Sequence, residues 1–359
     1  MPRLALRVSI GCRLLLIMSS ISLLGCADAN QGVKLADYSF AGGVKGLAFV
    51  DGGKALLTAD MNGTVKSWDA GSGQQLGMPL QGRGPIDLMT ASSDGQLIML
   101  EDPKAGIQLW DSATGQEIRL PDLKPAHCAA LSPDGRLLVI ADVIFAMRET
   151  KGVDARPAVW DIRQRRVIER LQPKFFVDVL QFSADGQTFV TAGRRSESFH
   201  VTSWDTRTWE PIPEGGYRRR RGYVNQAAIS SNGHWIAMQT GKGVELVDVS
   251  NSAKSNGSVY LLVAAGGNIN LAFTKDSKTL IASCVNYMIE RGKPTTSNIY
   301  FWDTMTRKEL KVIHVTGQML SRLAVAPDDS MIATAGHLDG HGPTIIDQVK
   351  LWPIRILAR

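Results

Sequence analysis

The chain has 359 residues, 44% of them hydrophobic and 21% charged. That is an ordinary soluble composition with enough apolar mass for a sizeable core, which sets extended disorder aside. Length alone allows two domains, although all-β folds often pass about 200 residues as one unit, and a formal charge of +6 bears on solubility and anionic partners rather than on fold.

The first 25 residues read as a signal peptide outside the fold. Arg3, Arg7 and Arg13 come with no acid among them, and the apolar run "LLLIMSSISLLG" that follows is too short to span a bilayer. The run ends at "LLGC". Leu23, Leu24, Gly25 and Cys26 resemble the lipobox of bacterial lipoproteins, where a small residue precedes the cut and a thiol carries lipid. The resemblance covers this segment alone. It implies that Cys26 becomes an acylated N-terminus and that residues 26–32 form a tether. Two or more acyl chains, at roughly 0.8 kcal/mol per buried CH₂, give a stable anchor. An ordinary cleaved signal and an uncleaved anchor are the alternatives. Ala27, just after the lipid site, leans toward the outer membrane facing the periplasm under a lineage-dependent sorting rule.

From residue 33 onward the chain repeats itself. Trp-Asp pairs fall at Trp68-Asp69, Trp110-Asp111, Trp160-Asp161, Trp204-Asp205 and Trp302-Asp303. Val247-Asp248 fills the gap between the fourth and fifth pairs, and Trp352 makes a seventh position with proline after it. A tight turn precedes each: "VDGGK", "SSDGQ", "SPDGR", "SADGQ", "SSNGH", "TKDSK" and "APDDS". Asp, Asn and Gly suit the backbone of short hairpins. Apolar runs such as "KALLTA" and "QTFVTA" flank these turns, and a second turn follows each Trp-Asp. Each unit thus reads as four short antiparallel strands, a to d.

These motifs resemble the WD40 repeat across nearly all of residues 33–359. The resemblance implies an all-β, seven-bladed WD40-like β-propeller, one domain spanning 33–359. The Gly-His dipeptide that usually opens a repeat is missing, and the aspartate usual in the b–c turn is Asn62 in the first unit. The hydrogen-bonded tetrad those residues build is therefore expected to be absent, with packing of the tryptophans carrying stability. The chain stops at strand c of the seventh unit, so residues 33–40 are expected to supply its strand d and close the ring. Cys128 and Cys284 fall in blades 3 and 6 and are expected to be free, buried thiols.

From turn marker to Trp position the units count 16, 16, 26, 19, 15, 26 and 24 residues, while the remaining spans stay near constant. The extra length is expected in the b–c loops of blades 3, 6 and 7, on the face shared with the d–a connections. Long loops on a rigid scaffold carry binding residues. Phe145 and Tyr287 in these inserts mark a candidate binding face, as does "GGYRRRRGYV" with Tyr217, Arg218, Arg219, Arg220, Arg221 and Tyr223. The arginine run is expected in the connection between blades 4 and 5. An exported protein does not meet genomic DNA, so nucleic acid is set aside in favour of a protein partner or anionic envelope polymers. "GHLDGHG" puts His337, Asp339 and His341 in one stretch, a weak metal candidate because its glycines argue against a helix.

No Ser/His/Asp or Cys/His arrangement has a recognisable signature. "WDSATGQEI" is similar to the repeat of quinone-dependent propellers, but their adjacent cysteines are missing. The expectation is a monomeric, lipid-anchored, non-catalytic interaction scaffold without cofactor at the bacterial cell envelope. The alternatives are an outer-membrane assembly-type propeller lipoprotein and, less favoured, a cofactor- or metal-dependent envelope enzyme.

Overall fold

The computed structural model describes residues 33–34, 43–102, 106–121, 126–142, 156–195, 198–220, 224–249, 259–261, 269–286, 294–338 and 347–354. Those residues form 28 strands in seven four-stranded antiparallel sheets, with a single short 3₁₀ turn, Asp51–Gly53. Each sheet is a blade. Blade 1 comprises strands a to d at Val44–Val50, Ala55–Asp60, Thr64–Asp69 and Gln75–Gln81. Blades 2, 3 and 5 span 88–118, 126–170 and 224–261. Blade 4 comprises Phe176–Phe182, Thr188–Arg195, Ser198–Asp205 and Pro211–Arg220. Blade 6 comprises Ile269–Phe273, Thr279–Asn286, Thr296–Asp303 and Glu309–Thr316.

Blade 7 is assembled from both ends of the propeller. Its strands a, b and c are Gln318–Val325, Met331–Leu338 and Asp347–Pro353. Its strand d is Val33–Lys34, which pairs antiparallel with strand c through Val33↔Leu351 and Lys34↔Lys350. The expected closure by the N-terminal segment is present.

The apolar residues fall into seven clusters, and each cluster fills one seam between adjacent blades. This explains the sequence pattern strand by strand. Strand b of blade 1, "ALLTAD", is buried throughout because neighbours cover both of its faces, while the outer strand "QLGMPLQ" is almost wholly exposed. Continuous apolar runs are expected wherever a sheet is covered on both sides. The Trp position always faces the preceding blade. Trp68 packs in the seam between blades 7 and 1, Trp204 between 3 and 4, and Trp352 between 6 and 7. A buried tryptophan of about 150–250 Å² contributes on the order of 4–6 kcal/mol as an upper bound.

The expectation that packing alone holds these tryptophans needs correction. The indole N–H groups of Trp68, Trp204 and Trp352 donate to Thr58, Thr191 and Thr334 Oγ1 at 2.8, 3.0 and 2.9 Å. Each threonine sits two residues after the strand-b residue opposite the tryptophan, namely Leu56, Phe189 and Ile332. In blade 2 that position is Leu100, and the buried Trp110 Nε1 has no acceptor among the described residues. Part of the polar support thus persists in three blades without Gly-His.

The aspartate after each tryptophan builds the c–d turn. Asp69 accepts from Ser72 N and Oγ, both at 2.7 Å, Asp111 from Ala113 and Thr114 N–H, and Asp303 from Thr306 N at 2.6 Å. These bonds to the ionised form hold the carboxyls of Asp69, Asp111 and Asp303 below their usual range. Asp161, bonded first by Gln164 N–H and also by Arg136, behaves alike. Asp205 falls to about 2, chiefly through the side chain of Arg207. The a–b turns of blades 2 to 6 share a second clamp. In blade 2, Ser92 Oγ donates to Asp94 at 2.6 Å and accepts Leu97 N–H at 3.0 Å. Ser132, Ser183, Ser230 and Thr274 repeat it.

Cys128 and Cys284 are free and lie in blades 3 and 6 as expected. Cys284 is buried, but Cys128 is only half-buried, because it follows an irregularity at the start of its strand.

Candidate functional site

The a strands surround a central cavity of about 560 Å³ that reaches the a–b turns and is lined by Leu88, Ala130, Leu180 and Phe273 together with Ser93, Ser183 and Ser231. Its chemistry changes at the end where the d–a connections enter. There, five blades bear an irregularity in strand a: between Val44 and Gly46, Ala126 and Cys128, Val177 and Val179, Val224 and Ala227, and Leu320 and Arg322. An extra residue in a strand bends it and re-aims a side chain. The backbones then approach so closely that a Cβ at Gly193 or Gly336 would overlap the Phe176 or Met319 carbonyl oxygen.

Polar groups gather around this end in an arc across blades 7, 1, 2, 3 and 4. Lys45 Nζ lies 3.9 Å from Asp87 Oδ1. Asp87 N–H donates to the Glu101 carbonyl at 2.9 Å. Burial, and then the Asp87 charge, push the Glu101 carboxyl up to about 7. Burial together with Glu101 and Asp178 pushes the Cys128 thiol well above its usual range, so it is not a thiolate nucleophile near neutral pH. Arg322 donates from Nε to the Lys45 carbonyl at 3.0 Å and from Nη1 to the Ser321 carbonyl at 2.8 Å. Desolvation lowers its guanidinium pKa, against the opposing pull of Asp347 and Asp87.

Asp347 is the buried hinge of this arc. Its carboxylate is 1% exposed, accepts Val44 N–H at 2.5 Å across the closing seam, and meets His337 Nδ1. This corrects the reading of "GHLDGHG". His337 is not a loop residue: it is the last but one residue of strand b of blade 7 and faces Asp347 directly in register. Asp339 and His341 lie outside the described residues. Among the described residues no three His, Cys, Asp or Glu side chains gather as metal ligands.

The arginine run also moves. Arg218, Arg219 and Arg220 are not in the connection between blades 4 and 5 but form the last rungs of strand d in blade 4. They stand opposite His200, Phe199 and Ser198, which in turn pair with Gly193, Arg194 and Arg195 of strand b. Two rungs therefore read Arg194–Phe199–Arg219 and Arg195–Ser198–Arg220 across the sheet. The sequence had shown "GRRS" and "YRRRR" as separate stretches; only the register joins them. Tyr217 lies in the same strand, opposite Val201. Arg221, Tyr223, Phe145, Tyr287 and the lipid-site Cys26 lie outside the described residues.

The extra length seen in the sequence is partly strand rather than loop. Strands b and c have eight residues each in blades 4 and 6, against six in blade 1. At about 3.4 Å per residue those blades rise about 7 Å higher on this face.

A family model, "WD domain, G-beta repeat", matches residues 34–69. The matched stretch is offset from the blade. It opens with Lys34, in strand d of blade 7, and ends with Asp69, in strand c of blade 1, so one sequence repeat spans the closing seam. No curated protein matches the chain. WD40 propellers are generally non-catalytic scaffolds that bind protein partners. The closed ring of seven four-stranded blades makes the chain a seven-bladed β-propeller, in which residues 34–69 are similar to a WD40 repeat.

Proposed function

We propose that the chain is a lipid-anchored, non-catalytic docking platform of the bacterial cell envelope that binds a protein partner through the face carrying the b–c and d–a connections. The observation that carries this reading is the arginine ladder on the raised end of blade 4, where positions 194, 195, 218, 219 and 220 share neighbouring rungs of one sheet. Arginine forks recognise carboxylates and phosphates through paired hydrogen bonds. The partner surface is therefore acidic, on a protein or on an anionic envelope polymer. The polar arc from Arg322 to Asp178 lies on the same face and adds further charged and polar groups to a binding rim. The signal and lipobox resemblance at Leu23–Cys26 supports the location.

The test is affinity capture from crosslinked membranes with the full chain and with Arg218, Arg219 and Arg220 changed to alanine. Loss of captured protein with an unchanged circular dichroism spectrum and thermal midpoint is the expected result. Equal capture by both forms refutes the arginine ladder as the docking site.

A further inference from the structure

The direction of the closing strand fixes how the ring meets a membrane. Strand c of blade 7 runs from the b–c side at Asp347 to the c–d side at Pro353. Val33 pairs with Leu351 and Lys34 with Lys350, so the incoming chain arrives from the c–d side. Val33 stands two residues from Pro353, about 7 Å from that end of the strand. Seven residue-to-residue steps, with six residues between, lead from Cys26 to Val33. Fully extended they reach at most about 25 Å. A direct path leaves Cys26 no more than about 18 Å beyond the c–d rim. The opposite path must double back along blade 7 and use about 14 Å, more than half of that reach, merely to draw level with Asp347.

The side chains around that rim agree. Blades 6 and 1 flank blade 7. Met305, in the c–d turn of blade 6, is 73% exposed. Leu310 and Leu76, each the second residue of strand d in those two blades, are exposed beside the same rim. Of the other exposed large apolar residues among those described, Met61, Leu88, Ile168 and Ile212 are 36–39% exposed and scattered over blades 1 to 4. Lys308 in the blade 6 turn and Lys54 in the a–b turn of blade 1 are exposed on this side as well. Apolar side chains beside lysines suit the headgroup and acyl boundary of a bilayer.

We infer that the c–d rim of blades 6, 7 and 1 rests on the lipid surface, with Met305, Leu310 and Leu76 as contacts, and that the arginine ladder and polar arc face away from the membrane. This inference rests on acylation at Cys26. It gives the anchor a mechanical purpose: the short tether presents one face of the ring to partners.

The experiment uses the full-length acylated protein in liposomes of phosphatidylethanolamine and phosphatidylglycerol. A photocrosslinking phenylalanine derivative replaces Met305 in one form and Met61, in the b–c turn of blade 1, in another. Strong lipid crosslinking from position 305 with background crosslinking from position 61 is expected. Crosslinking from position 61 alone, or from neither position in acylated protein, overturns the orientation while leaving the anchor intact. Intact-protein mass spectrometry separates the two ideas: a mature chain without acyl mass overturns the anchor itself.

Discussion

Replacing Thr334 by valine isolates one hydrogen bond in the blade 7 core. Thr334 is fully buried, Trp352 is 1% exposed, and the indole N–H donates to Thr334 Oγ1 at 2.9 Å. Valine has nearly the same volume, so no cavity opens, but the indole N–H loses its Thr334 acceptor. An orphaned buried donor costs about 1–3 kcal/mol. The added methyl group returns up to about 0.8 kcal/mol of apolar burial. The net expectation is a loss of about 1–2 kcal/mol in Thr334→Val. The control is the same change in a Trp352→Phe background, which has no indole N–H to strand. There the valine is expected to be neutral or mildly stabilising, giving a coupling energy of about 1–2 kcal/mol between the two sites. Urea unfolding followed by circular dichroism measures all four proteins. Equal costs in both backgrounds would refute the hydrogen bond as a contributor and return the stability of blade 7 to packing alone.

Two further outcomes follow from the polar arc. Glu101 has its carboxyl raised to about 7 in the fold. Its protonated form is the favoured one, so its contribution is intact below the unfolded value near 4.5 and is lost as pH rises through about 7. Glu101→Gln is therefore expected to match the wild type at pH 4.5 and to be more stable by about 1–2 kcal/mol at pH 8, after discounting for its partial exposure. Parallel pH-stability curves for the two proteins would exclude this role. At the closing seam, Asp347→Ala strands the Val44 N–H, which donates to Asp347 Oδ2 at 2.5 Å. A cost of about 1–3 kcal/mol is expected. Hydrogen exchange at Val44 should quicken markedly, whereas Asp347→Asn, which keeps an oxygen acceptor, should preserve much of the protection.

Much of this fold is written locally. The Trp-Asp spacing, the Asp-Gly turns and the alternation of apolar runs each depend on a few neighbouring residues, because hairpin geometry and blade height are local properties. Seven blades and the use of residues 33–34 for closure follow from that count, since an unpaired strand edge is unfavourable. The threonines at 58, 191 and 334 were visible too, within "LLTAD", "FVTAG" and "MIATAG", but their partnership with tryptophan depends on which strand-b residue lies across from it.

The candidate site was legible only in pieces. "YRRRR" stood out as a charge run, and its glycines suggested a connection between blades. Glycine neither prevents pairing at an outer edge nor sets where strand d ends; the cross-strand bonds to Ser198–His200 decide that. His337 likewise looked like a loop residue beside Asp339, whereas strand b extends through it and register assigns it Asp347. Lys45, Asp87, Glu101 and Arg322 carried no motif, because they converge from three strands and one connection in three blades.

By itself, then, the sequence determined the repeat, the number of blades and the means of closure, all consequences of periodicity and short-range turn chemistry. The tertiary structure alone decided which arginines share rungs, which carboxylate is raised by burial, and in which direction the closing strand Val33–Lys34 runs. Those depend on register and on the sense in which the final strand pairs, and strand pairing is a contact between residues as far apart as Val33 and Leu351.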